Sequence, residues 1–300
     1  MGDDRNGKTT TWLDGATGSE LQRAGLAVRA PWWTTLALNG EARRTRLREV
    51  HEGYLGAGAQ VITANTFRCN LRALRRVGLE DAGLAWMVHA AVGVARSARG
   101  AERARIAGSM APVEDCYRPD LVPSDEELRA EHGWLATELM RSGADLVLVE
   151  TMNTAREAAI ALEQVQAAGG RAWVSFVIGA DGLLLSGEPL VDAAKAAERD
   201  GAEAVLVNCA GPEATETALR LLREALSGPI GAYPNIEDRQ GTWARTHLDR
   251  HLPAALEPAE FADLLARWGE EYAPDILGGC CGTTPAHLAA ARNGAARVGG

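Results

Sequence analysis

Three cysteines are the residues of this sequence best suited to chemistry. Cys209 directly follows one apolar, β-branched run, and Cys280 and Cys281 follow another run within a glycine-rich segment. Thiolates are typical zinc ligands, and three protein ligands leave a fourth position open, as in catalytic rather than structural zinc sites. The flanking glycines allow the sharp backbone bend that adjacent cysteines need to reach one ion. We therefore predict a zinc ion, Zn²⁺, held by these three sulfurs.

The cysteine pattern also has alternatives that stay open. The three side chains could be unrelated small buried residues, Cys280 and Cys281 could form a strained vicinal disulfide, and residues 278–282 could form a phosphate-binding loop. A histidine-ligated site is disfavoured because no histidine follows an apolar run. A Schiff-base mechanism needs a lysine in the site, whereas Lys8 and Lys195, the two lysines of the chain, fall in the N-terminal tail and in a helical pattern.

Two carboxylates accompany the cysteines. Asp14 and Glu150 each end an apolar run. Facing one cavity, they would either act as general acid and base or hold a cationic group such as an α-ammonium. Beside a thiolate-bound zinc the second role is favoured, because an ionised metal-bound thiolate needs no separate base. A salt-bridged strand end is the structural alternative for each carboxylate.

Further polar and aromatic residues near the ends of the apolar runs are candidates for binding the substrates. They are Gly15, Trp33, Thr63, Asn65, Phe67, Arg68, Thr151, Asn208, Tyr233 and Asn235. The amides of Asn208 and Asn235 suit a carboxylate or a carbonyl, although capping of a loop accounts for them nearly as well. The ring of Trp33 suits a sulfonium or ammonium group by cation–π attraction, and simple packing is the alternative.

The elements that must position these residues alternate between strands and helices. Short apolar segments predict eight strands, at Thr11–Asp14, Gln60–Ala64, Ala104–Ser109, Asp145–Glu150, Ala172–Ile178, Ala204–Asn208, Ile230–Tyr233 and Asp275–Gly278. Helical periodicity follows each strand, at Thr45–Leu55, Arg72–Ala98, Ser124–Arg141, Thr154–Ala168, Leu190–Arg199, Glu213–Leu226, Pro258–Trp268 and Pro285–Ala296. Ser124 and Glu127 have the spacing of a capping box.

This alternation predicts the fold class. Strands that alternate with helices pair in parallel, and eight such units in 300 residues favour an α/β protein with a single (β/α)8 TIM barrel. An open α/β sheet is the alternative. Active sites of such barrels lie at the carboxyl ends of the strands, which is the end at which the candidate residues gather. We assign the barrel domain to residues 11–300 and a flexible N-terminal tail to residues 1–10.

Composition and charge exclude several classes of protein. The net charge of −9 provides no basic excess for a nucleic-acid backbone. No run of about 18 apolar residues is present, so a membrane-spanning helix is not expected, and the N-terminus shows no secretory signal. Five cysteines, an odd number, fit the reducing cytoplasm better than a disulfide framework. The long irregular segment at 234–257 is a candidate lid.

Several motifs resemble those of the homocysteine S-methyltransferase family. They are Asp-Gly-Ala-Thr-Gly-Ser-Glu-Leu at 14–21, Thr-Ala-Asn-Thr-Phe at 63–67, Val-Asn-Cys at 207–209, Tyr-Pro-Asn at 233–235 and Gly-Gly-Cys-Cys-Gly-Thr-Thr-Pro-Ala-His at 278–287. The similarity covers nearly the whole chain. It implies a (β/α)8 barrel whose zinc is bound by the three cysteines, whose acceptor is bound by Asp14, Gly15 and Glu150, and whose product is L-methionine made from L-homocysteine.

The sequence departs from the family pattern where the methyl donor is expected. Arg68 and Cys69 follow Phe67 where an aromatic residue or glutamine is common, and Thr151 follows Glu150 where the betaine-dependent members have tyrosine. Loss of two aromatic side chains weakens a quaternary-ammonium cage. Arg68 would repel a bare cation but could bind a carboxylate of the donor. We therefore expect a sulfonium donor, S-methylmethionine or S-adenosylmethionine, rather than betaine.

Taken together, the residues and the resemblance predict a cytoplasmic, zinc-dependent S-methyltransferase. Its partners would be a small-molecule thiol acceptor and a methyl donor, with no nucleic acid and no membrane, and the sequence sets no oligomeric state. Three alternatives stay open. They are another thiol or a selenol as acceptor, a separately encoded corrinoid partner, and a protein that binds a thiol or sulfonium compound without turnover.

Overall fold

A single closed sheet forms the centre of the molecule in the computed structural model, which describes residues 10–238 and 251–298. The strands are β1 (Thr11–Trp12), β2 (Val61–Ala64), β3 (Arg105–Met110), β4 (Leu146–Met152), β5 (Ala172–Phe176), β6 (Ala204–Asn208), β7 (Ile230–Tyr233) and β8 (Ile276–Leu277). All pairs are parallel, in the order β1-β8-β7-β6-β5-β4-β3-β2. A parallel bridge between Leu13 and Val61 joins the two ends of this order. The predicted (β/α)8 barrel is therefore confirmed.

Helices connect the strands and cover the outside of the barrel. They are α1 (Thr17–Arg23), α2 (Glu41–Gly56), α3 (Leu71–Arg76), α4 (Asp81–Arg99), α5 (Asp125–Ser142), α6 (Ala155–Ala167), α7 (Leu190–Arg199), α8 (Pro212–Ala225), α9 (Pro258–Tyr272) and α10 (Pro285–Val298). Short 3-10 helices lie at Trp33–Leu38 and Pro119–Leu121. Within the described ranges, none of the helices has the length and apolar character that crossing a membrane requires.

Alternation along the strands sorts the side chains between the barrel interior and the helix layer. In β4, Leu146 and Leu148 belong to the interior cluster, whereas Val147 and Val149 pack in the cluster that includes the helices. The next interior position in β4 is Glu150. The same period of two brings polar side chains to the carboxyl ends of six strands, namely Thr63, Ser109, Glu150, Ser175, Asn208 and Tyr233.

Local signals account for most helix boundaries, and one prediction is wrong. Ser124 and Glu127 form the predicted capping box at the start of α5. The single helix predicted over Arg72–Ala98 is instead divided into α3 and α4, because Gly78 adopts a positive φ of 81° between them. The sequence does not predict the short helix α1, which has a glycine in its first turn and no side-chain N-cap, so that its local signal is weak.

Two sequence predictions concern chain outside the described residues. The predicted N-terminal tail covers residues 1–10, of which only Thr10 is described. The predicted lid covers 234–257, of which 239–250 are not described. Both therefore stay predictions.

Candidate active site

A cavity of about 230 Å³ lies at the carboxyl ends of the strands. It is lined by every residue of the predicted site except one: Asp14, Gly15, Trp33, Thr63, Asn65, Phe67, Arg68, Glu150, Thr151, Asn208, Cys209, Tyr233, Cys280 and Cys281. The exception is Asn235. Its side chain is fully buried, and its Oδ1 accepts a hydrogen bond from the N–H of Glu237 at 2.9 Å, so it shapes the loop after β7 rather than facing the cavity.

The three cysteine sulfurs meet at one point of this cavity. The Sγ of Cys280 lies 3.0 Å from that of Cys209 and 3.9 Å from that of Cys281, and all three lie within 4.8 Å of one another. Zinc with Zn–S bonds of about 2.3 Å in tetrahedral geometry separates its sulfurs by about 3.8 Å. The spacing and the soft donor atoms therefore fit one ion of this kind. All three cysteines are free, so no vicinal disulfide joins Cys280 to Cys281.

Backbone turns bring the cysteines together. Cys209 follows β6 with a positive φ of 55°, which is uncommon for a residue with a side chain and turns the chain sharply at the strand end. Gly282 has a φ of 88°, and a Cβ there would lie 2.9 Å from the backbone nitrogen of Glu237. The carbonyl of Cys280 accepts a hydrogen bond from Thr283 Oγ1 at 2.7 Å, which fixes the turn that carries the cysteine pair.

Asp14 and Glu150 are buried acids with strongly altered pKa values. The side chain of Asp14 accepts hydrogen bonds from the N–H of Thr63 at 2.7 Å and from its hydroxyl at 2.8 Å. Glu150 accepts from the hydroxyls of Ser109 and Tyr233, the latter at 3.1 Å. Burial nevertheless raises the pKa of each carboxyl to about 7, and the nearby charge of Glu150 contributes to the rise at Asp14. A cation that enters the cavity would restore their ionisation.

The hydrogen bonds of Asn208 link the ends of three strands. Its Oδ1 accepts from the N–H of Thr151 at 2.9 Å and from the hydroxyl of Ser175 at 2.7 Å, while its Nδ2 donates to Thr151 Oγ1 at 2.8 Å. Thr151 has a φ of 60° at an irregularity in the pairing of β4 with β5. Such a bulge changes the direction of the side chains next to it, and the side chain that directly precedes Thr151 is that of Glu150.

Aromatic rings and one arginine form the wall that follows β1 and β2. The Arg68 guanidinium lies 5.8 Å from the ring centre of Trp33 and 5.3 Å from that of Phe67. One of its nitrogens donates to the carbonyl of Glu114 at 3.0 Å. Asn65 donates to the carbonyl of Thr34 at 2.8 Å, which fastens the loop that carries Trp33.

Sequence reasoning missed several residues of the cavity. Ser109, at the end of β3, could have been proposed from its position, whereas the additional lining residues Asp115, Cys116, Tyr117 and His251 come from long loops without periodic signals. The Nδ1 of His251 lies 2.7 Å from Glu237 Oε1. These two side chains and Cys281 form a second group of possible ligand atoms within 4.8 Å.

Comparison with known proteins places this barrel in a family. The family model described as homocysteine S-methyltransferase matches residues 11–294. The chain belongs to the homocysteine S-methyltransferase family. The homocysteine S-methyltransferase of Escherichia coli (strain K12) is 31% identical over 298 residues, with 93% of each chain covered. The resemblance found in the sequence motifs is thereby confirmed, and the chain is a methyltransferase of this family.

Two further comparisons also cover most of both chains. The crystal structure of the E. coli homocysteine methyltransferase MmuM in its metallated form has a TM-score of 0.81 and 28% identity, and covers 97% of both chains. The selenocysteine methyltransferase of Astragalus bisulcatus is 25% identical over 305 residues, with 91% of this chain and 88% of that protein covered. The similarity therefore extends to the whole barrel rather than to the cysteine motif alone.

Proposed function

We propose that this protein is a zinc-dependent S-methyltransferase that moves a methyl group from a sulfonium donor to the thiol of L-homocysteine, which gives L-methionine. One observation carries the proposal. The three cysteine sulfurs lie together in a cavity that is also lined by two buried carboxyls, those of Asp14 and Glu150. Membership of the family supports homocysteine as acceptor, and the metallated form of the E. coli relative supports a bound metal.

Zinc held by Cys209, Cys280 and Cys281 would lower the pKa of an acceptor thiol and keep its sulfur as a nucleophilic thiolate at neutral pH. The thiol proton is released to solvent. A lone pair of the acceptor sulfur then attacks the donor methyl carbon, and a new C–S bond forms as the C–S bond to the donor sulfur breaks. The electron pair of the broken bond goes to the donor sulfur, which leaves as a neutral thioether. The cavity walls supply the alignment that this in-line displacement requires.

The buried carboxyls bind the acceptor through its α-ammonium group. An ammonium placed between Asp14 and Glu150 favours their ionised forms and lowers both pKa values from about 7. Thr63 holds the Asp14 carboxyl by two hydrogen bonds, and Ser109 and Tyr233 hold that of Glu150. The two acids are thus fixed before the acceptor arrives, which reduces the entropy lost on binding.

Replacement of one ligand tests the proposal. We expect the wild-type protein to bind one zinc per chain and to convert homocysteine that is deuterated in its carbon chain to methionine, with S-methylmethionine as donor. Mass spectrometry then separates the labelled product from the unlabelled methionine that the donor leaves behind. The Cys280→Ser variant is expected to lose both zinc and methyl transfer. The matched control is Cys69→Ala, because Cys69 is fully buried and does not line the cavity. Full zinc content and full turnover in Cys280→Ser would refute the proposal.

A selenol acceptor is the second candidate, because one relative is named a selenocysteine methyltransferase. The same assay with selenocysteine in place of homocysteine compares the two acceptors by their kcat/KM values. Saturable binding of homocysteine without product from any donor would instead favour a binding protein without turnover.

A further inference from the structure

Arg68 is the one arginine or lysine among the described residues that line the cavity. Its guanidinium lies over two aromatic rings, 5.8 Å from the ring centre of Trp33 and 5.3 Å from that of Phe67. Such contacts restrict the rotamers of a long side chain, and the hydrogen bond to the Glu114 carbonyl restricts them further. The guanidinium is therefore already ordered in the free protein.

The charge of Arg68 has no carboxylate partner among the described residues. Its one hydrogen bond there goes to a neutral carbonyl. The adjacent Glu114 carboxylate is engaged by two other arginines, Arg72 at 2.9 Å and Arg76 at 2.9 Å. Further N–H groups of the Arg68 guanidinium therefore remain available to an anionic group in the cavity. A carboxylate is the anion that matches their planar, bidentate geometry.

The position of Arg68 indicates which substrate supplies that carboxylate. Asp14 and Glu150 are only 3% and 7% exposed, whereas Arg68 and the two rings beside it are half-buried and line the same cavity from the loops after β1 and β2. The acceptor must place its sulfur at the cysteines and its ammonium at the two acids. The second substrate is then left with the part of the cavity beside Arg68.

We propose that Arg68 binds the α-carboxylate of the methyl donor, a sulfonium amino acid. The inference rests on the proposed function and names the donor subsite within it. It also argues against a cage for a quaternary ammonium at these two rings, since the positively charged guanidinium already lies over both of them.

Donor binding to the zinc-loaded protein tests this proposal without turnover. Calorimetry compares S-methyl-L-methionine with (3-aminopropyl)dimethylsulfonium, which has the same sulfonium group and no carboxylate. In Arg68→Gln we expect the Kd of S-methylmethionine to rise on the order of 10- to 100-fold, as for the loss of charge-assisted hydrogen bonds. The Kd of the carboxylate-free donor should stay the same or fall, because a competing positive charge is removed. Arg68→Lys should be intermediate, since a lysine lacks the bidentate fork.

The control variant is Arg75→Gln, which removes an exposed arginine of α3 that makes no ion pair within the described part of the chain and should change neither Kd. Three results would overturn the inference. The first is an equal rise in the Kd of both donors in Arg68→Gln. The second is a wild-type protein that binds S-methylmethionine no more tightly than the carboxylate-free donor. The third is an Arg68→Gln variant in which only the KM of homocysteine rises. A different result would separate the two proposals. If donor binding depended on both the carboxylate and Arg68 but no methyl transfer occurred, the proposed function would be overturned and the donor subsite would be retained.

Discussion

Asp14 and Glu150 are held in an environment that opposes their ionisation. Hydrogen-bond donors surround both carboxyls, yet burial prevails and raises each pKa to about 7, from 3.8 and 4.5. Because the folded pKa exceeds the unfolded one, the contribution of these groups to stability is fully present below about pH 4. It is lost as the pH rises through about 7, where the folded protein must hold two buried charges. A bound ammonium offsets that loss, so binding and stability oppose each other at these residues.

This opposition predicts the effect of Glu150→Gln. The amide cannot ionise, so the variant should be more stable than wild type by about 1–3 kcal/mol near pH 8 and equally stable near pH 4, where the carboxyl is neutral in both folded and unfolded protein. Acceptor binding should be strongly weakened at both pH values. Urea unfolding of the ligand-free protein at the two pH values measures the difference. A variant that loses stability near pH 8 would show that the ionised carboxylate of Glu150 stabilises the fold.

Residue types identify the reactive groups of the cavity but not their supporting contacts. The cysteine set is predictable because thiolates near two strand ends have few structural roles, and the structure brings their sulfurs within 4.8 Å. The bond from Ser109 to Glu150 and the contact of His251 with Glu237 are not predictable in this way. Such contacts join residues that are 41 and 14 positions apart, and no local pattern specifies which distant side chains will meet.

At the scale of elements, the side-chain amide of Asn208 links the carboxyl ends of three neighbouring strands. Asn208 in β6 bonds to Thr151 of β4 and to Ser175 of β5, and so holds three neighbouring strands in register at the cavity. Thr151 adopts a left-handed φ that costs a β-branched residue about 1–3 kcal/mol. The bonds from Asn208 stabilise that conformation, which in turn determines the direction of Glu150.

We therefore expect Asn208→Ala to reduce both stability and acceptor binding. Removal of the amide leaves the buried N–H of Thr151 without its partner, and the expected loss is about 2–4 kcal/mol in the free energy of unfolding. The KM for homocysteine should rise more than the KM for the donor, because the proposed function places Glu150 against the acceptor. Exposed Asn39 provides the control, and Asn39→Ala should leave both quantities unchanged. An unaltered homocysteine KM in Asn208→Ala would mean that Glu150 is oriented without this network.

Most elements were predictable because parallel strands buried on both faces have strong apolar runs. All eight predicted strands overlap observed ones, although β8 is reduced to Ile276–Leu277 and β4 extends to Met152. The failures lie where tertiary contacts outweigh local preference. The periodic segment over Arg72–Ala98 divides at Gly78, and α1 forms despite a glycine in its first turn. Helix α1 is stabilised by packing, because Ser19 and Leu21 are buried.

At the scale of the whole molecule, the cysteine site lies at the junction between the first and last strands of the barrel. The first and last strands of the chain, β1 and β8, pair with each other and contain two residues each. Beyond them, the N–H of Gly279 donates to the Asp14 carbonyl at 2.9 Å, and the N–H of Ala16 donates to Thr283 Oγ1 at 3.1 Å. The segment that carries Cys280 and Cys281 is therefore part of the closure, so the fold and the proposed metal site should respond together to a change here.

Gly15→Ala tests this coupling. A Cβ at Gly15 would lie 2.6 Å from Thr283 Oγ1 and 2.7 Å from the Tyr54 hydroxyl, both in a packed interior. We expect a loss of about 1–3 kcal/mol in the free energy of unfolding from overpacking. Zinc affinity, measured by competition with a chelator, should fall as well, because a displaced Thr283 no longer holds the Cys280 carbonyl.

Gly56→Ala is the matched control for this prediction, since a Cβ there meets no atom within 4 Å and the residue ends a helix. It should leave zinc affinity unchanged and stabilise the protein slightly, as alanine does relative to glycine in a helix. If Gly15→Ala lowered stability while zinc affinity stayed at the wild-type value, closure and metal binding would be separable. The cysteine pair would then be positioned by β8 alone, without the contact between the ends of the barrel.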